Sequence, residues 1–394
     1  MTMETGITRR TVLKGAAGAV AAGTLGGAVT KAALATHAPL WKVAQRNGVV
    51  FGTAIATWMF EDAPFMDLVR REAALIFTMD DFLWYQLKPS RDAPLNFDSG
   101  DAIVAKAEEN RQLVFGAHLV WDEGLGEGWA EGELFELSEQ EAREMLFAEP
   151  GGTLVETVNR YRGRMAGWIV VNEIVANGDE GDRGMRTDYP WYQTIGREFV
   201  AESFHLARKY DPDATLVLNE FGFETVNEFG DLPEDRRRNA LLIIDELQGQ
   251  GVPLDAFGIQ GHLLANRFLD RFDVSGYRRF LAELADRGLD ILITELDVLD
   301  DGLPRNIRLR DAAIADIYER YLDTVLAEPA VKSVMPFGLS DRYTWLQEDF
   351  PRQDGSPRRP LPYDADLQPK PAYHALHDAL LDARRRRALW IPPR

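Results

Sequence analysis

Short apolar runs alternate with longer amphipathic stretches along almost the whole chain. Brief β-branched runs bounded by polar residues read as buried strands of a parallel sheet. Eight of them occur: Val49–Ala54, Ala74–Phe77, Leu113–Val120, Trp168–Val171, Thr215–Leu218, Ala256–Ile259, Ile291–Thr294 and Ser333–Phe337. Helical spacing follows each, at Pro64–Arg71, Ser99–Asn110, Ser138–Tyr161, Pro190–Tyr210, Glu234–Gln248, Val274–Arg287, Arg308–Leu326 and Ala372–Arg384. The third span opens on Ser138-Glu-Gln-Glu141, a capping box in which a hydroxyl and a carboxylate three residues on satisfy the first amides of a helix. Strand and helix in strict alternation predict the α/β class and a single (β/α)8 TIM barrel, with a doubly wound open sheet as the other architecture the pattern allows.

Polar residues cluster just past the strands, where a barrel places its functional groups. His118-Leu-Val-Trp121-Asp122 follows the third strand, Asn172-Glu173 the fourth, and Asn219-Glu220-Phe221 the fifth. Gln260-Gly-His262 follows the sixth, Glu295 and Asp297 the seventh, and Ser340-Asp341-Arg342-Tyr343-Thr-Trp345 the eighth. Burying a carboxylate is costly unless it is paired or used. One glutamate at a strand end is commonly a cap. Two, each beside another amide or carboxylate, point to chemistry. Amides and carboxylates that bond hydroxyls, with Trp and Tyr faces for sugar rings, describe a carbohydrate cleft, and a glutamate pair within it suggests hydrolysis of a glycosidic bond. Phosphate-cradling glycine motifs and metal-ligand spacings such as HExxH are absent from the sequence, so no cofactor or metal is implied.

Composition changes the picture at the N-terminus. Thr8-Arg9-Arg10-Thr-Val-Leu13-Lys14 is a twin-arginine pattern, followed by a weakly apolar Gly/Ala run and a small-residue cleavage site at Ala33-Leu34-Ala35. The run is too short and too poor in Leu, Ile and Phe for a stable membrane span. Residues 1–35 are therefore expected to be a Tat signal peptide and 36–394 the barrel domain, exported folded to the periplasm or the extracellular space. Removing four positive charges and one negative charge with the leader takes the net charge from −19 to −22. A chain so acidic is a poor partner for nucleic acid or an anionic membrane. With no cysteine, thiol catalysis and zinc-thiolate sites are excluded, and the core alone must hold an exported protein together. A monomer acting on a β-linked polysaccharide is the expectation.

Several of these segments resemble the family-10 glycoside hydrolases, the retaining endo-β-1,4-xylanases. Trp168-Ile-Val-Val-Asn172-Glu173 is similar to that family's Trp-Asp-Val-Val-Asn-Glu, and Ile293-Thr-Glu295-Leu-Asp297-Val to its Ile-Thr-Glu-Leu-Asp-Ile. Gly258-Ile-Gln260-Gly-His262-Leu, Gly338-Leu-Ser-Asp341-Arg-Tyr343-Thr-Trp345 and Pro362-Tyr-Asp364 onward to Tyr373 resemble further family segments. The resemblance implies that Glu295 is the nucleophile, Glu173 the acid/base and Asn172 the partner of a sugar 2-hydroxyl. It further implies that His262 contacts the nucleophile and is held by Asp297. Gln260, Trp121, His118, Asn219, Trp84, Trp345 and Tyr343 are the remaining expected substrate-binding or orienting residues.

The departures fall on the glycone side. Met79-Asp80-Asp81-Phe82-Leu83-Trp84 stands where the family carries Glu-Asn-Glu-Met-Lys-Trp, so Met79 and Leu83 replace a Glu and a Lys that grip the sugar. Gly116-Ala117-His118-Leu-Val-Trp121-Asp122 stands where it carries Gly-His-Thr-Leu-Val-Trp-His. A one-residue step along a strand turns a side chain to the other face, which leaves open whether His118 replaces the displaced histidine. Phe337 stands for a Trp. An endo-1,4-β-xylanase is the leading expectation. The same chemistry on another β-linked polymer, such as a bacterial exopolysaccharide, and a non-catalytic carbohydrate-binding protein on the same scaffold are the two others.

Overall fold

The computed structural model describes residues 38–227 and 229–393, so the expected leader lies outside the described residues. Nine strands form: β1 (Val50–Ile55), β2 (Leu75–Thr78), β3 (Leu113–Gly116), β4 (Gly167–Asn172), β5 (Thr215–Glu220), β6 (Ala256–Ile259), β7 (His262–Leu264), β8 (Asp290–Leu299) and β9 (Val331–Pro336). Each of β1 to β5 pairs in parallel with the next, β5 with β6, β6 with β8, β8 with β9 and β9 with β1. That circuit closes an eight-stranded parallel barrel surrounded by helices, the (β/α)8 architecture expected, and rules out the open sheet. The short β7 lies outside the circuit and pairs only with the far half of β8, His262 opposite Asp297.

Alternation along the strands makes two cores. Leu75, Phe77, Phe115, Ile169, Val217 and Leu292 fill the lumen, while their neighbours in sequence, such as Ile76, Val114, Trp168 and Ile291, pack outward against the helices. Leu389 and Trp390 pack against the lumen cluster, and the Trp390 indole donates to Thr215 Oγ1 at 3.1 Å, so the C-terminal segment stoppers the floor of the barrel. Functional groups are left to the other end, where the strands finish.

Several boundaries differ from expectation, each for a local reason. The span Ser138–Tyr161 is two helices, Glu139–Phe147 and Thr153–Arg160, because Pro150-Gly151-Gly152 interrupts it. The expected capping box is present at its start. Pro190–Tyr210 is likewise two helices, Pro190–Ile195 and Phe199–Tyr210, separated at Gly196 with φ +92°. The third strand ends at Gly116; beyond it Leu119 and Val120 bond to the carbonyls of Ile169 and Val170 outside any regular ladder. The seventh barrel strand runs well past Thr294, so Glu295 and Asp297 lie inside β8 rather than after it. Helix Leu40–Arg46 and helix Ala265–Arg271, of 7 residues each, are too short for their spacing to be read from sequence.

The chain past β8 is fixed to the chain past β9 by a buried charge cluster. Asp300, fully buried, accepts from Arg358 Nη1 at 2.7 Å and lies 3.4 to 3.5 Å from Arg352 and Arg310. Breaking a buried pair strands charge in the interior, at a cost of about 3–5 kcal/mol. Asp300→Ala leaves three guanidinium groups without that carboxylate and should lower the thermal midpoint by several degrees. Differential scanning calorimetry checks this, and an unchanged midpoint would show that the cluster contributes nothing net.

Candidate active site

The upper rim is organised by Asn219, the next-to-last residue of β5. Its side chain is buried, and its Nδ2 donates to Glu295 Oε1 at 2.8 Å and to Asn172 Oδ1 at 2.9 Å. Its Oδ1 accepts from Thr294 Oγ1 at 2.8 Å, and the Glu295 carboxylate, which only accepts, fixes the amide with its NH2 toward Glu295. One amide therefore ties the ends of β4, β5 and β8 together. A Cβ on Gly258 of β6 would come within 2.2 Å of this Oδ1, so the glycine leaves the space that Asn219 fills.

Glu295 is only 4 % exposed. Burial by itself would raise its carboxyl, but hydrogen bonding and charge from the two neighbouring histidines outweigh it and bring the group down to about 2. His262 Nε2 lies 3.3 Å from Glu295 Oε2, and His262 Nδ1 lies 2.8 Å from Asp297 Oδ1. Desolvation works against the imidazolium here, yet Asp297 and Glu295 together push His262 up to about 10. Asp297 accepts in turn from the Trp345 indole at 2.7 Å. The β7–β8 pairing supplies this geometry by setting His262 directly opposite Asp297.

His118 does reach Glu295, its Nε2 standing 3.8 Å from Oε1, a long ion-pair distance. Strand alternation does not decide this, because β3 has already ended at Gly116 and the period of two no longer governs where His118 points. Phe337 fills the space beside His262 edge-on, with ring centroids 5.7 Å apart and planes at 90°.

Glu173 follows β4 with φ +61°, the left-handed region that costs a non-glycine residue about 1–2 kcal/mol. Such a conformation persists where its surroundings enforce it. Here the Glu173 amide donates to the Asn219 carbonyl at 3.0 Å, and the Glu173 carbonyl accepts from Arg186 Nη1 at 2.9 Å. Its carboxylate accepts from Gln260 Nε2 at 2.8 Å and from the Trp121 indole at 3.1 Å. Glu295 is thus held by an imidazolium and an amide, and Glu173 by neutral donors. Asn172 Nδ2 is buried with no hydrogen-bond partner, an unspent donor between the two glutamates' networks.

Of the expected site residues, Asn172, Glu173, His118, Trp121, Asn219, Gln260, His262, Glu295, Asp297 and Trp345 come together in this one network. Two do not join it. Trp84 is buried against Trp129 and Trp191, at 5.3 and 5.4 Å between centroids, and acts as packing. Tyr343 sits on the rim, donating to Asp62 at 2.8 Å with its ring against Trp58 and Phe65. The residues that sequence reasoning missed are arginines. Arg186 comes from the excursion after β4, and Arg236, 2.7 Å from the buried Glu220 that closes β5, comes from the helix Pro233–Gly249. Neither lies near a strand end in sequence, so only the fold reveals them. Burial pushes Glu220 up to about 7 despite Arg236, with the Glu173 charge adding to the rise.

A parallel barrel whose strand ends converge two buried glutamates, amides, a histidine–aspartate pair and indoles defines a xylanase-like glycoside hydrolase. Comparison with known proteins agrees, since residues 40–379 match the model of Glycosyl hydrolase family 10, and the chain belongs to that family. Endo-1,4-beta-xylanase B of Thermotoga neapolitana is 27% identical over 352 residues, covering 87% of this chain and 91% of the relative. Endo-1,4-beta-xylanase 5 of Pyricularia oryzae is 30% identical over 337 residues, covering 84% and 76%. Among solved structures, xylanase 10B from Thermotoga petrophila in complex with xylobiose is similar with a TM-score of 0.74 and 28% identity, covering 88% of this chain and 98% of its own.

Gly258→Ala tests the role of the Asn219 amide. Overpacking typically costs about 1–3 kcal/mol. The variant should unfold at lower temperature, and its crystal structure should show Asn219 displaced from Glu295. A variant of wild-type stability with Asn219 unmoved would refute that role.

Proposed function

We propose that this protein is a retaining endo-1,4-β-xylanase, with Glu295 as nucleophile and Glu173 as acid/base. The observation that carries the reading is the contrast between the two glutamates. Glu295 is buried yet kept low by its histidine neighbours, whereas Glu173 accepts from a neutral amide and an indole. In the first step the Glu295 carboxylate attacks the anomeric carbon while Glu173 gives its proton to the departing glycosidic oxygen. In the second, Glu173 takes a proton from water, and that water displaces the sugar from Glu295 with the original anomeric configuration restored. Asn172 Nδ2, the unpartnered buried donor, supplies a hydrogen bond to the sugar 2-hydroxyl. His262, fixed by Asp297, keeps Glu295 ionised and oriented. The N-terminal leader, read as a twin-arginine signal, would deliver the folded enzyme to polymer outside the cytoplasm.

One feature favours a second reading, the same chemistry on a different β-linked polymer. Met79 and Leu83 stand where the resemblance implies a glutamate and a lysine that grip the glycone, and Leu83 packs against the loop at Gly124. Hydrolysis of a panel of β-linked polysaccharides, xylan and bacterial exopolysaccharides among them, separates the two. Wild-type protein should release reducing ends from xylan with the β-anomer appearing first by NMR, and Glu295→Ala should be slower by on the order of 10⁴-fold or more. Glu295-dependent cleavage of another polymer alone would keep the mechanism and change the substrate. Sugar binding without hydrolysis of anything would leave the non-catalytic alternative.

The pH dependence follows from the sign of the Glu295 shift. Activity needs the carboxylate ionised, and a depressed group stays ionised until the pH falls toward about 2. His262→Gln removes the imidazolium and leaves only His118 and the Asn219 amide to oppose burial. The acid limb of kcat/KM should then move up by about one pH unit or more. An acid limb that stays in place would mean that His262 does not set the charge of Glu295.

A further inference from the structure

Asp122, on the loop after β3, is a buried carboxylate that the scheme above leaves without a part. Its Oδ2 accepts from Arg186 Nη2 at 2.9 Å, while its Oδ1 is buried without a hydrogen-bond partner. The same guanidinium donates through Nη1 to the Glu173 carbonyl at 2.9 Å and through Nε to the exposed Asp188 at 3.0 Å, and it stacks over the Tyr189 ring. Trp121, the residue before Asp122, donates to the Glu173 carboxylate itself. A cation and an anion therefore stand together behind the residue read as the acid/base. We propose that Asp122 is a positioning residue that balances the Arg186 charge behind Glu173 and thereby sets the upper pH limit at which Glu173 still donates its proton.

The physical argument is one of sign. Arg186 beside Glu173 favours the carboxylate and so favours early loss of the proton. An ionised Asp122 cancels that field and favours retention. Burial pushes the Asp122 carboxyl up to about 6, Arg186 opposing and the Glu173 charge adding to the rise, so Asp122 is anionic across neutral pH. The coupling acts in both directions, since whatever Glu173 does to the ionisation of Asp122, Asp122 does to Glu173. Other charges face the pair as well. Glu220 at the end of β5 is compensated by Arg236, Glu295 on β8 by His262, and Asp188 is exposed and screened by solvent. Asp122 is the buried anion that shares a guanidinium with Glu173, Asp188 being the exposed one. A mere tether for Arg186 would need only an acceptor, which an amide oxygen provides equally well. The charge is what distinguishes the two roles.

The proposal rests on Glu173 being the acid/base, and the experiment separates the two claims. The pH profile of kcat/KM is measured for the full chain, Asp122→Asn and Asp122→Glu. The substrates are xylan, whose leaving sugar needs protonation, and 2,4-dinitrophenyl β-xylobioside, whose leaving group does not. Asp122→Asn should lower the basic limb on xylan by about half to one pH unit, a loss of roughly three- to tenfold above pH 7. The acid-side plateau and the dinitrophenyl activity should be unchanged, which also shows that the fold is intact, and Asp122→Glu should restore the limb. Asp122→Ser, uncharged and small, should reproduce the shift even where the amide disturbs the loop. A basic limb that does not move, or equal losses on both substrates at every pH, would overturn the role of Asp122. Glu173→Ala is the control for the underlying reading, since it should lose kcat/KM on xylan while keeping it on the dinitrophenyl substrate. If it shows no such selectivity, the assignment of Glu173 has failed, whatever Asp122 does.

Discussion

The top of this barrel is built around the problem of keeping a carboxylate charged where there is almost no water. Glu295 can remain ionised only because a donor or cation meets each of its oxygens. Asn219 and His118 face Oε1, and His262 faces Oε2. Each of these requires something behind it. Asn219 needs Thr294 to bond its amide oxygen and Gly258 to leave it room, and His262 needs Asp297, which Trp345 holds in turn. Removing a charge's partner from such an environment costs more than the same change at a surface, because the low dielectric that strengthens each contact also magnifies each loss.

Glu173 is handled differently. Its backbone, not its carboxylate, receives the guanidinium, and the conformation of its own residue lies in a region that only its surroundings sustain. The neutral donors Gln260 and Trp121 then bond the side chain. Two glutamates of the same chemical type are thus placed in different environments within one cleft, one beside an imidazolium and the other among neutral donors. The stoppered floor and the buried Asp300 cluster hold the loops around this arrangement, leaving the strand ends as the open face.

That the two glutamates, with Asn172, Gln260, His262 and Asp297, would meet at one end of the barrel was legible in the chain, because each stands at or just past the end of an apolar strand. The eight-fold alternation of strand and helix was equally plain, since it rests on periods of two and of 3.6 residues that burial imposes directly on sequence. Helix breaks at Pro150 and Gly196 were visible only in hindsight, because a long periodic span outweighs one or two breakers until tertiary packing decides whether the axis bends or stops.

The sequence by itself determined the class of fold, the strand ends that carry the polar groups and the sign of the molecule's charge, because each is a local or compositional property. Tertiary structure alone decided which of those residues meet. It brought His118 to Glu295 after strand alternation had lapsed and turned Trp84 inward. It also carried Arg186 and Arg236 from distant excursions to the backs of Glu173 and Glu220. Those placements depend on how loops fold over the barrel rim, where no periodicity constrains the chain and a side chain's role is fixed by its neighbours in space.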